Sequence, residues 1–410
     1  MGVSEYHGRT IVRHRLIPAA LAASGSILLL ASTATAATPA WTVVPAANPP
    51  AQGVLNAVSA RTATDAWAVG QFQGAGEDAG AQILAERWNG AKWQQVPTPN
   101  IVRVDERLLG VSASGANDAW AVGNSNAISA ASHNALAAHW DGTAWTIVPT
   151  PAAENGGRLA SLYDVADLSP ANAWAVGQGK DARPLAEHWD GSAWSIVSVP
   201  VPAVPAGTSF ANASLTGISA LSPTDIWAVG TTTAIVTQTL AATRFTLAEH
   251  WDGTAWSIVR TANAAEPTAL NDVTAISATN AWAVGNSFNN VHDTSATNAD
   301  HAVIEHWNGT AWSIVASPAA GTLLNGISAA GPADIWAIGI GVDSSGTIPV
   351  NVTQTEHWNG TAWSFVSTPN VTGGDTLLKG VSALPSGEAW AVGPDDGTAA
   401  TGAFIIHHTP

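Results

Sequence analysis

Beyond residue 40 the apolar residues fall in short runs separated by Gly, Asn, Asp, Ser and Pro, and no run keeps a helical period. Four such runs recur in a fixed order. The first is an apolar and small segment such as Leu109-Gly110-Val111-Ser112-Ala113. The second carries Trp-Ala-Val-Gly or its Ile variant. The third resembles Leu185-Ala186-Glu187-His188-Trp189, and the fourth Ala193-Trp194-Ser195-Ile196-Val197. The third and fourth are joined through Asn89-Gly90, Asp141-Gly142, Asp190-Gly191, Asp252-Gly253, Asn308-Gly309 or Asn359-Gly360. Asn-Gly and Asp-Gly tolerate the positive φ of a tight turn, so these pairs predict hairpins between strands.

The second-run tryptophans are Trp67, Trp120, Trp174, Trp227, Trp282, Trp336 and Trp390, spaced 53 to 55 residues apart. Four antiparallel strands in a unit of that length make one propeller blade. The seventh unit ends after its third strand, Ala403 to His408, while Ala40-Trp41-Thr42-Val43-Val44 matches the fourth-strand pattern. The expected fold is therefore all-β: a closed seven-bladed β-propeller over residues 37–410, with four antiparallel strands per blade and the last blade completed by the N-terminal strand. The twenty tryptophans divide between second, third and fourth strands with none left for loops.

Composition narrows the setting. Residues 1–36 place Arg9, Arg13 and Arg15 before an apolar stretch from Leu16 to Ala31, and Ala34-Thr35-Ala36 offers a small-x-small cleavage pattern. This reads as a signal peptide of a secreted, extracellular or envelope-associated protein, with no membrane insertion after cleavage. The chain has no cysteine, which removes disulfides, thiolate metal sites and a Cys nucleophile. Only 11% of residues are charged and the net charge is −16. Such a chain repels phosphate backbones, so nucleic acid is excluded as a partner.

The pattern resembles the β-propeller superfamily of WD-repeat, kelch and Asp-box proteins, with Trp-rich repeats like those of secreted bacterial propellers. It lacks the Gly-His opening and Trp-Asp ending of the WD repeat. The resemblance implies the fold and leaves the activity open.

Two repeated polar positions stand out. An acidic or amide residue lies two before each second-strand Trp (Asp65, Asp118, Asn172, Asp225, Asn280, Asp334, Glu388). A third-strand His recurs at His139, His188, His250, His306 and His357, usually after a Glu. Equivalent positions lie around a ring and do not converge on one atom, so they predict a hydrogen-bond bracket within each blade.

Candidate binding residues come from departures from the repeat. First-to-second and third-to-fourth turns share one face and are uniform. The opposite face carries unequal connections, the longest being Val199–Ser214, Thr231–Arg244, Asn286–His301 and Ile340–Val350. Phe210, Arg244, Phe288, His292, Asp293 and His301 are its candidates. At the channel mouth Asp164 and Asp272 replace the first-strand Gly, Tyr163 precedes the former, and Lys379 fills that preceding position in blade seven.

No nucleophile elbow, zinc-binding helix motif or EF-hand loop appears, and neither a cofactor nor a metal is called for. The leading expectation is a binding or scaffold protein recognising an extracellular protein or polysaccharide through the variable-loop face. A multivalent propeller lectin with sugar sites between blades, using the hairpin tryptophans, is the alternative. A glycan-degrading enzyme ranks below both. Oligomeric state is left open.

Overall fold

The computed structural model describes residues 40–47, 53–74, 80–100, 104–127, 133–151, 160–262, 267–287, 301–318, 322–345, 349–371, 374–396 and 402–410. The signal-peptide expectation for residues 1–36 lies outside them. Seven antiparallel sheets are formed. Six take their strands consecutively, as in blade one: Val54–Thr62, Asp65–Gln73, Ala81–Trp88 and Trp93–Gln95. In the seventh, Ala40–Val43 pairs with Gly402–Thr409, which pairs with Ala389–Asp396, so the N-terminal strand completes the ring. The first strand of this blade is split into Asp375–Thr376 and Gly380–Ala383.

The Gly of each Trp-Ala-Val-Gly has a steric cause. The first strand bulges opposite it, for example between Leu270 and Asp272. The bulge presses a carbonyl against the second strand. A Cβ added at Gly70, Gly123, Gly177, Gly230, Gly285, Gly339 or Gly393 would lie 1.8–1.9 Å from a first-strand carbonyl oxygen.

The tryptophans pack between blades. Each second-strand Trp meets the third- and fourth-strand Trp of the following blade, as Trp67 meets Trp140 and Trp145 at 5.0 Å, and Trp120 meets Trp189 at 4.9 Å and Trp194 at 4.8 Å. The last blade closes the series in both directions. Trp390 packs on Trp88 and Trp93 of blade one, and Trp336 packs on Trp41 and His408. His408 stands where the other third strands carry Trp. Each such triad sits in one of seven hydrophobic clusters, one per blade interface.

The His and acidic positions form the bracket inside each blade. His139, His250 and His357 Nε2 bond to Asp118, Asp225 and Asp334 at 2.7–2.8 Å, and His188 and His306 bond to Asn172 and Asn280 at 3.0 Å. Arg87 replaces His in blade one, bonding Asp65 at 2.8 Å. The same imidazoles lie on the second-strand indoles, and Arg87 lies over Trp67 at 5.1 Å. The Glu before the His is buried and reaches the segment leaving the previous blade. Glu86 accepts from Ala47 N at 2.9 Å and Glu305 from Ala262 N at 3.0 Å, each donor six residues after a fourth-strand Trp.

Blade four departs from its neighbours. Its strands Thr208–Ser222, Asp225–Val236 and Ala242–Trp251 run on past the ring on the loop face, pairing as far as Thr208↔Val236 and Ile235↔Ala242. Much of Val199–Ser214 and Thr231–Arg244, expected as loop, is therefore strand. The runs of Thr, Ile and Val there favour extended backbone and find antiparallel partners in each other. In blade six the second strand likewise continues to Asp343.

Replacing Gly285 with Ala forces a Cβ into backbone and should cost roughly 1–3 kcal/mol. Gly331→Ala, with nothing within 4 Å of the added carbon, should leave thermal unfolding unchanged. A second expectation concerns Glu249. In blade three the donor position, six residues after Trp194, is Pro200, which has no N–H. Both Glu249 carboxyl oxygens are buried without a partner among the described residues, and burial pushes this group up to about 8. Because the folded state holds the proton more tightly than the unfolded chain, stability should be full below about pH 4.5 and fall as pH rises through 8. Glu249→Gln should flatten that decline in denaturant melts at pH 5 and 8.

Candidate functional site

First strands line the channel at the centre of the ring. They run from the loop face toward the turn face, so their early residues form the loop-face mouth. One residue per blade makes the mouth: Asn56, Leu109, Tyr163, Thr216, Asn271, Asn325 and Lys379. All seven line a cavity of about 270 Å³ together with Asp164 and Asp272. The structure thus brings Tyr163, Asp164, Asp272 and Lys379 to one site.

Most mouth side chains also stitch neighbouring blades. Asn56, Asn271 and Asn325 donate Nδ2 to Leu108, Leu324 and Leu378 O at 2.7–2.8 Å, and Thr216 donates to Leu270 O at 2.9 Å. Lys379 instead donates Nζ to Asn56 Oδ1 at 3.0 Å. Leu109 has no polar group to offer. Tyr163 is half-buried, and burial raises its phenol against a bond to Ser161.

One layer deeper the wall is held by hydroxyls. Ser59, Ser112, Ser219, Ser328 and Ser382 Oγ accept N–H bonds from Ala113, Asp167, Ala275, Ala383 and Ala60 of the next blade at 2.9–3.3 Å. Blades three and five carry Ala166 and Thr274 at this position. These are the two blades with an aspartate. Asp164 Oδ2 accepts from Ile218 N at 2.9 Å and Asp272 Oδ2 from Ile327 N at 2.8 Å, while each Oδ1 accepts the N–H of its own following residue. Every blade junction therefore has one first-strand clip, five from serine and two from aspartate. In blade three, where Ala166 has no hydroxyl, Asp164 supplies the clip, taking the N–H two residues before the one a serine takes; in blade five Asp272 does the same beside Thr274, which keeps its hydroxyl. Comparing the first strands two residues further on would have revealed the exchange in blade three.

Burial raises both carboxyls, and the charge of Asp272 raises Asp164 further. Burial, with the nearby cation Arg107, lowers the Lys379 ammonium, while Asp396 acts the other way. Among the described residues no group of three or more His, Asp or Glu is arranged to hold a metal.

The described loop-face candidates, Phe210, Arg244 and His301, are not among the residues lining the cavity. Phe210 pairs with Ala234 and packs against the cluster between blades three and four. Arg244 is exposed opposite Thr233, and His301 is exposed at the start of a blade-five strand. Phe288, His292 and Asp293 lie outside the described residues. Leu240, not singled out from sequence, sits at the tip of the blade-four extension, 78% exposed and with φ of +58°. A bulky apolar side chain in that backbone region is uncommon.

The hairpin tryptophans that an inter-blade lectin would use are committed elsewhere. Fourth-strand Trp are buried in the triads. Third-strand Trp donate Nε1 to turn carbonyls, as Trp189 does to Pro170 O at 3.0 Å and Trp251 to Pro223 O at 3.1 Å.

Replacing Asp164 with Gly should lower stability by about 1–3 kcal/mol, since Ile218 N–H loses its acceptor. Adding Ala166→Ser should recover part of that loss in the same thermal melt, because a serine there can take the Ala220 N–H as the serines of the other blades do.

No family model and no curated protein sequence matches the chain. Among solved structures it is similar to YCF48 bound to D1 peptide, at 14% identity and a TM-score of 0.53 over 90% of this chain and 97% of that one. It is similar to YCF48 from Cyanidioschyzon merolae at 14% identity and a TM-score of 0.51, covering 90% and 98%. An ulvan lyase, a polysaccharide lyase bound to a GlcA–Rha3S ligand, aligns at 10% identity and a TM-score of 0.52, covering 89% and 94%. At these identities the likeness establishes the seven-bladed propeller fold.

Proposed function

We propose that this chain is an exported binding protein that recognises one extracellular protein or polysaccharide per molecule through its loop face. The observation that supports it is one-sided variation. The turn face repeats the same Asx hairpin, with Asp141, Asp190, Asp252, Asn308 and Asn359 Oδ1 each accepting the same two backbone N–H bonds at 2.8–3.0 Å. The loop face carries the blade-four extension, with exposed Leu240 at its tip, and the cavity mouth. A rigid ring with one irregular face suits recognition, since ordering costs are already met in the free protein. The structural neighbours include a peptide-bound propeller and a polysaccharide lyase, and both are compatible with a macromolecular ligand.

The test is a glycan-array screen and a pull-down from envelope extract with the purified chain, followed by calorimetric stoichiometry on any hit. One ligand per chain is expected. Leu240→Ser should weaken binding about ten-fold, a loss of roughly 1.4 kcal/mol, whereas Lys92→Ala on the turn face should not change it. Several copies per chain, or a loss confined to the turn-face variant, would reject the assignment.

A further inference from the structure

We propose that a cavity at the base of the blade-four extension binds a medium-chain alkyl carboxylate, its tail between the extension and the Pro202 to Pro205 segment and its head group on Arg260. The site is separate from the loop-face assignment, since neither Leu240 nor any residue of the channel cavity lines it.

The cavity measures about 470 Å³. One wall is formed by Pro202 and Pro205, on the segment that leaves blade three. The other is blade four itself, with Phe245 and Leu247 from its third strand and Ile258 from its fourth. Proline holds its φ fixed, so the first wall is stiff before any ligand arrives. Ile258 is 44% exposed, an apolar side chain left to solvent at the rim. Polar groups are few. Thr246 and Thr261 bond to each other through Oγ1 at 2.6 Å, and Thr232 is buried. A sugar finds few partners here, whereas the size and lining are those that small apolar ligands occupy.

The charge at the cavity has one sign. Arg260 is the only charged residue that lines it. It is exposed, and its guanidinium forms no salt bridge among the described residues. Between Gly191 and Thr243 the one charged residue is Asp225, which is bonded to His250. In a chain of net charge −16 this cation therefore stands in a neutral stretch with nothing to compensate it. A carboxylate is the group that a guanidinium fork holds by two parallel bonds.

The fold does not require these residues. Four positions after the fourth-strand Trp the other blades carry Pro45, Pro97, Pro149, Ser198, Ala316 and Ser367 where blade four has Arg260. Blades one, three and five have Gln82, Arg183 and His301 where it has Phe245. Phe245 belongs to none of the seven hydrophobic clusters between blades. Two departures from the repeat thus meet at one cavity, and blade packing uses neither.

The test is calorimetric titration of the purified chain with butanoate, hexanoate and octanoate, with octanol, and with an acetylated dileucyl-glutamate peptide. Arg260→Ser and Phe245→Gln borrow residues from equivalent positions in other blades, and thermal melts check that each variant stays folded. Octanoate is expected to bind once per chain, with affinity rising about three- to four-fold for each added CH₂. Octanol should bind about ten-fold more weakly, and Arg260→Ser should bring octanoate down to the level of octanol. Phe245→Gln should weaken acid and alcohol alike. Leu240→Ser should leave octanoate binding unchanged, whatever the array and the pull-down return. No saturable octanoate binding, no dependence on chain length, equal binding of acid and alcohol, or octanoate binding indifferent to Arg260→Ser would overturn the proposal. So would binding of the peptide alone, or loss of octanoate binding in Leu240→Ser.

Discussion

The ring is held by indole packing across blade boundaries. A second-strand Trp finds its partners on the third and fourth strands of the following blade, so no blade can bury its aromatic surface by itself. In a chain without cysteine this is the main cohesive contact, each aromatic pair adding roughly 0.5–1.5 kcal/mol beyond the area it buries. It also explains closure. Trp41 arrives from the other end of the chain to complete the triad around Trp336, and Trp390 needs blade one for its own. The imidazoles that lie on the second-strand indoles, and the carboxylates or amides that hold those imidazoles, orient the rings for that packing.

Packing at that density fixes the channel. The first strands are drawn inward, their bulges press carbonyls onto the Trp-Ala-Val-Gly glycines, and each junction is closed by a clip from serine or aspartate. Little chemical freedom remains in the wall. It survives at the mouth, where the seven blades carry Asn, Thr, Leu, Tyr or Lys, and on the loop face, where the connections differ in length from blade to blade.

The candidate site was unevenly legible. Tyr163, Asp164, Asp272 and Lys379 could be placed together because a repeat aligns with itself and departures from it show. What each does was not legible. Asp164 and Asp272 look like ligand groups until their bonds to Ile218 N and Ile327 N of the next blade are seen. Likewise Thr231 to Arg244 reads as a long polar connection, because it pairs partly with itself and partly with the separate segment from Thr208 to Ser214. Leu240 carries no signal in the sequence at all, since its exposure follows from the height of that extension.

Sequence by itself determined the number of blades, the four strands of each, the hairpin turns and the splitting of the last blade between the chain ends. Those follow from local turn chemistry and a repeated period, which need no knowledge of what lies alongside. Tertiary structure alone decided that the second-strand tryptophans pack on the following blade, and that two aspartates clip the junctions where the other five use serine. Those are contacts between repeats, and a repeat records its own pattern without recording what its neighbour places against it.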